Sequence, residues 1–239
     1  MKKNIFGTDG IRGPMGIEPF TQESIIRLGK VIGKWSQEKY GTVLTQTAIL
    51  LGHDTRESCS FVKAALQTGL LQNNVTIHDA YIVPTPAILQ HIAHNKEFSI
   101  GIIISASHNP YRDNGIKIVD SKGKLSLDDE LIISDMFNND AQTNNDYTNF
   151  GNSQPYSQLQ DTYHRTISSY FPTQFLSGIR IALDYAHGAT YKVAHNIFSD
   201  FGATIIAIND SPNGKNINEN CGALHLESLQ QAVLDNSAD

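Results

Sequence analysis

Hydrophobic residues along this chain follow two patterns, one with helical spacing and one of short continuous runs. Ile25, Leu28, Ile32 and Trp35 recur at the helical period and predict a helix over residues 22–39. Residues 48–52 form an apolar run of strand length, which is typical of a strand buried on both faces. The same patterns predict further strands at residues 75–77, 99–104, 115–119, 179–183 and 204–208, and helices at residues 61–70, 84–94, 127–137, 156–170 and 193–201.

Strands and helices alternate along the chain, which predicts an α/β fold with mixed, largely parallel sheets. Between residues 138 and 154 the composition shifts to Asn, Asp, Thr, Gly and Ser, which indicates a loop or linker at a domain boundary. The 239 residues also exceed a common single-domain length of roughly 100–200 residues. We therefore expect two consecutive α/β/α domains, residues 1–153 and residues 154–239.

Composition narrows the classes of partner. The net charge is −6 and no run of five or six like charges occurs, so we expect neither nucleic acid nor a membrane as partner. No apolar segment approaches the roughly 18 residues of a membrane span. Cys59 and Cys221 lie far apart, which favours a reducing compartment, and the basic start lacks the apolar stretch of a secretory signal. These features predict a cytoplasmic protein.

A polar loop at residues 105–110 follows the apolar strand predicted at residues 99–104. It carries Ser105, Ser107 and His108 ahead of an Asn-Pro turn. In an open α/β sheet, ligands bind beyond the carboxyl ends of strands, so a hydroxyl there is placed to act as a nucleophile. An ordinary turn is the competing explanation. A serine–histidine hydrolase is a weaker alternative, because neighbouring side chains in extended backbone point in opposite directions.

Five motifs together resemble one family. They are FGTDGIRG at residues 6–13, SASHNP at residues 105–110, DNGIK at residues 113–117, DYAHGAT at residues 184–190 and NGKNINENCG at residues 213–222. Their form and order are similar to those of the α-D-phosphohexomutase superfamily, and most of all to its bacterial members that act on glucosamine phosphate. This resemblance implies an isomerase that interconverts glucosamine 6-phosphate and glucosamine 1-phosphate through a phosphoserine and a bisphosphate intermediate.

The resemblance also implies a role for individual residues. Ser107 matches the phosphoserine, which adds about −1.5 to −2 charges and needs cations around it. Arg12 matches a phosphate-binding cation, and Lys117 matches a cation that also assists proton transfer at the sugar hydroxyl. His108 is expected to orient the loop or to assist proton transfer. Asp54 is expected to pair with Arg56, in a role that the sequence leaves open.

The expected cofactor is Mg²⁺, bound through the Ser107 phosphate and an acidic loop. That loop, Asp-Gly-Asp-Gly-Asp-Arg in the family, does not occur in these 239 residues. We therefore expect the N-terminal half of an enzyme, with its second domain incomplete, inactive alone and prone to form homo-oligomers through exposed apolar surface. A phosphomannomutase, a phosphoglucomutase or a non-catalytic phosphate-binding fragment stays open as an alternative.

Overall fold

This computed structural model describes residues 4–41, 47–139 and 150–239. Alternating strands and helices run along the chain as the hydrophobic pattern predicts. The strands are β1 (Ile11–Pro14), β2 (Thr47–His53), β3 (Val75–Ile82), β4 (Ile100–Ile104), β5 (Asp113–Asp120), β6 (Gly123–Lys124), β7 (Asn152–Pro155), β8 (Arg180–Asp184) and β9 (Thr204–Ile208). The helices are α1 (Gln22–Tyr40), α2 (Cys59–Leu70), α3 (Thr85–His94), α4 (Leu127–Asn139), α5 (Leu159–Ser169), α6 (Val193–Asp200) and α7 (Glu227–Asn236).

The first sheet is mixed, with the strand order β1-β5-β4-β2-β3-β7 and β6 beside β5. Strands β4, β2, β3 and β7 run parallel to one another, whereas β5 runs antiparallel to both β1 and β4. This order places β5 between β1 and β4. The amino-terminal motif and the motif that follows β4 therefore meet at one end of the sheet.

Apolar side chains cover both faces of this sheet, because consecutive residues of a strand point to opposite sides. Ile49 and Leu51 of β2 pack with α1 and α2, whereas Leu50 packs with α3 on the other face. Leu159, the first residue of α5, belongs to the same cluster as Leu50. The first unit is therefore a three-layer α/β/α sandwich, and the fold class predicted from the sequence is confirmed.

The second unit is smaller. Strand β8 pairs in parallel with β9, and α6 connects them. Its buried cluster consists of Val193, Ile197 and Phe201. Within the described part of the chain, no helix is both long and apolar enough to span a bilayer.

At both ends of residues 138–154, which the sequence predicts as a loop, the structure has regular secondary structure instead. Helix α4 extends through Asn139, and residues 140–149 lie outside the described residues. Strand β7 then pairs in parallel with β3 and runs across the expected division after residue 153. All four β7 residues are exposed, so no hydrophobic alternation marked this strand in the sequence. The division into residues 1–153 and 154–239 stays a prediction.

Candidate active site around the Ser107 loop

The Ser107 loop, residues 105–110, begins where β4 ends. Strands β2 and β4 are parallel, so their carboxyl ends lie at the same edge of the sheet. The residues after β2 therefore contact the loop, and the Asp54 amide donates to the Ile104 carbonyl at 3.0 Å. This arrangement brings the segment after β2, which includes Arg56, against the loop.

Ser107 has a left-handed backbone, with φ of 58°. Residues other than glycine seldom adopt this conformation, which persists where the surroundings hold it in place. The Ser107 amide donates to Ser105 Oγ at 3.1 Å, and the Ser107 side chain is exposed. Ser107 Oγ lies 3.5 Å from His108 Nδ1, at the limit of a hydrogen bond. The loop therefore presents the Ser107 hydroxyl to solvent, with Ser105 in a supporting position.

Arg56 hydrogen-bonds to the loop backbone from the interior of the first unit. Its side chain is 1% exposed and pairs with Asp54, with 2.9 Å between Arg56 Nε and Asp54 Oδ2. Its Nη2 donates to the carbonyl oxygens of Ser107 at 3.0 Å and Asn109 at 2.9 Å, and its Nη1 donates to the Pro110 carbonyl. The expected pairing of Asp54 with Arg56 is confirmed. Because Arg56 is buried and bonded to backbone, it holds the loop and has no access to a ligand.

Glycine at position 115 lets β5 approach the loop. The Ser105 amide donates to the Gly115 carbonyl at 2.9 Å, and a Cβ atom on residue 115 would lie 2.3 Å from the Ser105 carbonyl oxygen. Two residues further along β5 is Lys117. On the opposite side of β5, Arg12 of β1 lies across from Gly115 in the antiparallel register. The sheet therefore positions Lys117 on the strand that packs against the loop and Arg12 on the neighbouring strand.

Asp9 joins the two cations. Its Oδ2 atom lies 2.8 Å from Arg12 Nη2 and 2.7 Å from Lys117 Nζ. The hydrogen bond from Lys117, the largest cause, lowers the pKa of the Asp9 carboxyl below its ordinary value, and Arg12 lowers it further. Arg12 Nε is buried and has no hydrogen-bond partner among the described residues, whereas the Arg12 side chain as a whole is 30% exposed.

An open cleft of about 540 Å³ lies beside these groups. It is lined by the turn over residues 5–10, by Arg12 and by His108. The structure thus brings His108, Arg12 and Asp9 to one cleft. Lys117 is connected to it through Asp9, and Ser107 precedes the lining residue His108 in the sequence. These are the residues that the sequence motifs singled out, together with Asp9.

The described residues do not fit a complete metal site. They contain no group of three or more His, Cys, Asp and Glu side chains that is arranged to hold a metal ion. Asp9, the carboxylate of the cleft, is already shared by two cations. We therefore assign no chemistry to Mg²⁺ from these residues.

Sequence reasoning missed two contributors. Asp9 lies within the first motif, where its i, i+3 spacing to Arg12 was a usable signal of an ion pair. Asn218 comes from the second unit, and its Nδ2 donates to the carbonyl oxygens of Ser107 at 2.9 Å and Asn109 at 3.0 Å. More than one hundred residues separate Asn218 from the loop, so no local pattern pointed to this contact.

A family model described as phosphoglucomutase/phosphomannomutase, alpha/beta/alpha domain I, matches residues 3–144. The chain belongs to this family. Curated relatives named phosphoglucosamine mutase include one from Acinetobacter baumannii, 41% identical over 98% of this chain and 52% of its own length. Another, from Nitrosococcus oceani, is 42% identical over 100% of this chain and 52% of its own length. The chain thus spans about half the length of these relatives.

A solved structure supports the same fold. It is a phosphoglucomutase/phosphomannomutase family protein from Burkholderia thailandensis, with a TM-score of 0.80 and 21% identity. The match covers 97% of this chain and 49% of that protein. At this level of identity the likeness shows the fold, and the family assignment depends on the match to residues 3–144.

Proposed function

We propose that the protein to which this chain belongs is a phosphoglucosamine mutase that uses Ser107 as its phosphoryl carrier. Its substrates in this proposal are the hexosamine phosphates glucosamine 6-phosphate and glucosamine 1-phosphate. The curated relatives with that name support this choice of sugar, since their identity of 41% and 42% extends over nearly the whole chain.

The observation that carries the proposal is the presentation of Ser107. Its exposed hydroxyl sits on a left-handed residue whose carbonyl is held by buried Arg56, beside a cleft that contains Arg12. Phosphoryl transfer depends mainly on positioning and on neutralising charge. The held loop backbone provides positioning, and Arg12 in the cleft that His108 lines provides positive charge, whereas an ordinary surface turn would need neither.

In the proposed step, the bond between phosphorus and Ser107 Oγ breaks as phosphorus bonds to a sugar hydroxyl oxygen. The hydroxyl proton leaves the sugar, and a proton returns to the serine oxygen, so the protons balance. We assign Lys117 and His108 to this proton transfer and Arg12 to the phosphate oxygens. The partly exposed Arg12 side chain in the cleft and the 3.5 Å separation of His108 Nδ1 from Ser107 Oγ support the roles of Arg12 and His108, whereas Lys117 is assigned from its motif. Transfer of the other phosphoryl group of the bisphosphate back to Ser107 completes the cycle.

In this proposal the phosphate on Ser107 would supply one oxygen ligand to Mg²⁺, and the described residues lack a group that would supply the remaining ligands. The proposal places the enzyme in the cytoplasm, which the free thiols of Cys59 and Cys221 support. Self-association is also expected, because Phe171, Phe175 and other large apolar side chains of the second unit are exposed.

A phosphomannomutase or phosphoglucomutase is the second candidate, since the matching family model carries both names. Steady-state kinetics of the whole protein on glucosamine, glucose and mannose 6-phosphates will distinguish them. We expect the highest kcat/KM on glucosamine 6-phosphate. A higher kcat/KM on glucose or mannose 6-phosphate would overturn the choice of sugar while leaving the role of Ser107 open to the next test.

Peptide mass spectrometry of the protein purified from its natural host tests whether Ser107 is the phosphoryl carrier. We expect one phosphate, located on Ser107. The Ser107→Ala variant of the whole protein should fold normally and lose nearly all turnover, whereas Ser105→Ala should keep Ser107 as the modified residue. Phosphate on Ser105 with Ser107 unmodified, or turnover retained in Ser107→Ala, would refute the proposal.

A further inference from the structure

The side chain of Asn218, in the second unit, hydrogen-bonds to the Ser107 loop. Its Nδ2 donates to the carbonyl oxygens of Ser107 and Asn109 at 2.9 and 3.0 Å, which uses both of its N–H groups. Arg56 donates to the same two carbonyls from inside the first unit. The loop backbone is therefore held between one donor from each unit.

Asn218 is itself placed by its surroundings. Its backbone is left-handed, with φ of 59°, and its amide donates to the Ala186 carbonyl at 3.0 Å. Asp184 accepts hydrogen bonds from the Ala186 amide at 2.8 Å and from the Gly222 amide at 2.7 Å. These bonds connect the residues around Asn218 to the end of β8.

Two further contacts hold this part of the second unit against the first. The Glu57 amide donates to the Gly214 carbonyl at 2.9 Å, and Thr55 Oγ1 donates to the His187 carbonyl at 2.5 Å. Thr55 and Glu57 flank Arg56 in the sequence. The same turn after β2 therefore carries Arg56 and also contacts the part of the second unit that carries Asn218.

We propose that Asn218 is a positioning residue for Ser107, through which the second unit fixes the left-handed backbone of the loop. A left-handed serine is unfavourable by itself, and it persists only while neighbouring groups hold it. Its carbonyl has two lone pairs, and Arg56 and Asn218 supply one donor each. Removing the Asn218 donors frees one side of the loop, so Ser107 relaxes toward ordinary backbone conformations and its hydroxyl loses its fixed direction. The functional part of this inference rests on the proposed role of Ser107.

Hydrogen–deuterium exchange in this chain tests the positioning role without any need for activity. Asn218→Gly removes the donors and keeps a residue that tolerates positive φ. We expect about tenfold faster exchange in peptides that cover residues 105–113, and unchanged exchange in peptides from β8. Asn218→Asp preserves the shape and cannot donate, so it should accelerate exchange at least as much.

Asn220→Gly is the matched control. Asn220 is also left-handed, with φ of 53°, and among the described residues its side chain makes no hydrogen bond. It should show wild-type exchange in the loop. Thermal unfolding of each variant separates a local change from a global one. If Asn218 only stabilised the fold, its loss would lower the unfolding temperature and accelerate hydrogen–deuterium exchange throughout the chain. Wild-type loop exchange in folded Asn218→Gly or Asn218→Asp would overturn the inference.

The occupancy of phosphate on Ser107 provides a second measurement, on whole protein from its natural host. We expect lower occupancy in Asn218→Gly than in Asn220→Gly. If the wild-type protein carries no phosphate on Ser107, the proposed function fails, and the exchange experiment still decides whether Asn218 positions the loop. Equal occupancy in the two variants, with Ser107 phosphorylated in the wild type, would overturn the effect of Asn218 on phosphorylation.

Discussion

The guanidinium of Arg56 lies 3.0 Å from the carbonyl oxygen of Ser107, although the two residues belong to loops that follow different strands. This contact is buried on the Arg56 side and exposed on the Ser107 side. A charged group that is fully engaged with protein atoms thus supports a residue that faces solvent. The first prediction concerns the loss of that support.

Arg56→Met should lower the free energy of unfolding by about 3–5 kcal/mol, because it leaves the Asp54 carboxylate buried without its partner. Urea unfolding monitored by circular dichroism measures the change. Lys34→Met is the control, since Lys34 and Glu38 form an exposed pair with 3.9 Å between charged atoms. The control should cost less than about 0.5 kcal/mol. Equal effects of the two substitutions would contradict the supporting role of Arg56.

Gly115→Ala should destabilise the protein by about 1–3 kcal/mol, because the added Cβ would lie 2.3 Å from the Ser105 carbonyl oxygen and must push β5 from the loop. Gly7→Ala is the matched change, since its Cβ would lie 3.4 Å from the nearest atom, the Gly10 carbonyl oxygen. It should stay within about 1 kcal/mol of wild type. Thermal unfolding compares the two variants, and a Gly115→Ala protein as stable as wild type would disprove the close approach.

Leu159→Ala should cost about 2–5 kcal/mol, because Leu159 is fully buried in the cluster that contains Leu50. Leu234→Ala provides the comparison on the surface, where Leu234 is 74% exposed, and should change stability by less than about 0.5 kcal/mol. Guanidinium unfolding measures both. A negligible cost at Leu159 would mean that α5 does not complete the core of the first unit.

The Asp9 carboxyl should titrate below the ordinary value of 3.8, because the hydrogen bond from Lys117 and the neighbouring Arg12 favour its charged form. The ion pairs therefore stabilise the folded state fully above that value, and this contribution is lost as the pH falls through the lowered pKa. Carbon-detected NMR titration measures the midpoint. In Lys117→Met the midpoint should rise toward the ordinary value. A wild-type midpoint at or above 3.8 would exclude the expected pairing.

The sequence predicted those elements whose hydrophobic pattern is strong. Strand β9 occupies the predicted residues 204–208, and β2 extends the predicted run by one residue on each side. The motifs at residues 6–13 and 105–110, which lie on either side of β5, were also located in the sequence. An ion pair between residues close in the sequence could also be predicted, as the contact between Asp54 and Arg56 shows.

Features that depend on the tertiary fold were not accessible from the sequence. Strand β7 is defined by backbone pairing alone, because its side chains are all exposed. The left-handed backbone of Ser107 has no signature in the residue type, since serine is neither glycine nor asparagine. The contact from Asn218 required the second unit to be placed against the first. Each of these features is set by neighbours that are distant in the chain.

The sharing of Asp9 by Arg12 and Lys117 sets the net charge of this group of side chains. Two cations and one carboxylate leave a single positive charge on the group of Arg12, Asp9 and Lys117. Under the proposed function, a dianionic phosphate would be attracted without being fully neutralised, and it would compete with Asp9 for the same nitrogen atoms. Such a balance would favour release of the phosphate, because the Asp9 carboxylate would take its place on Arg12 and Lys117.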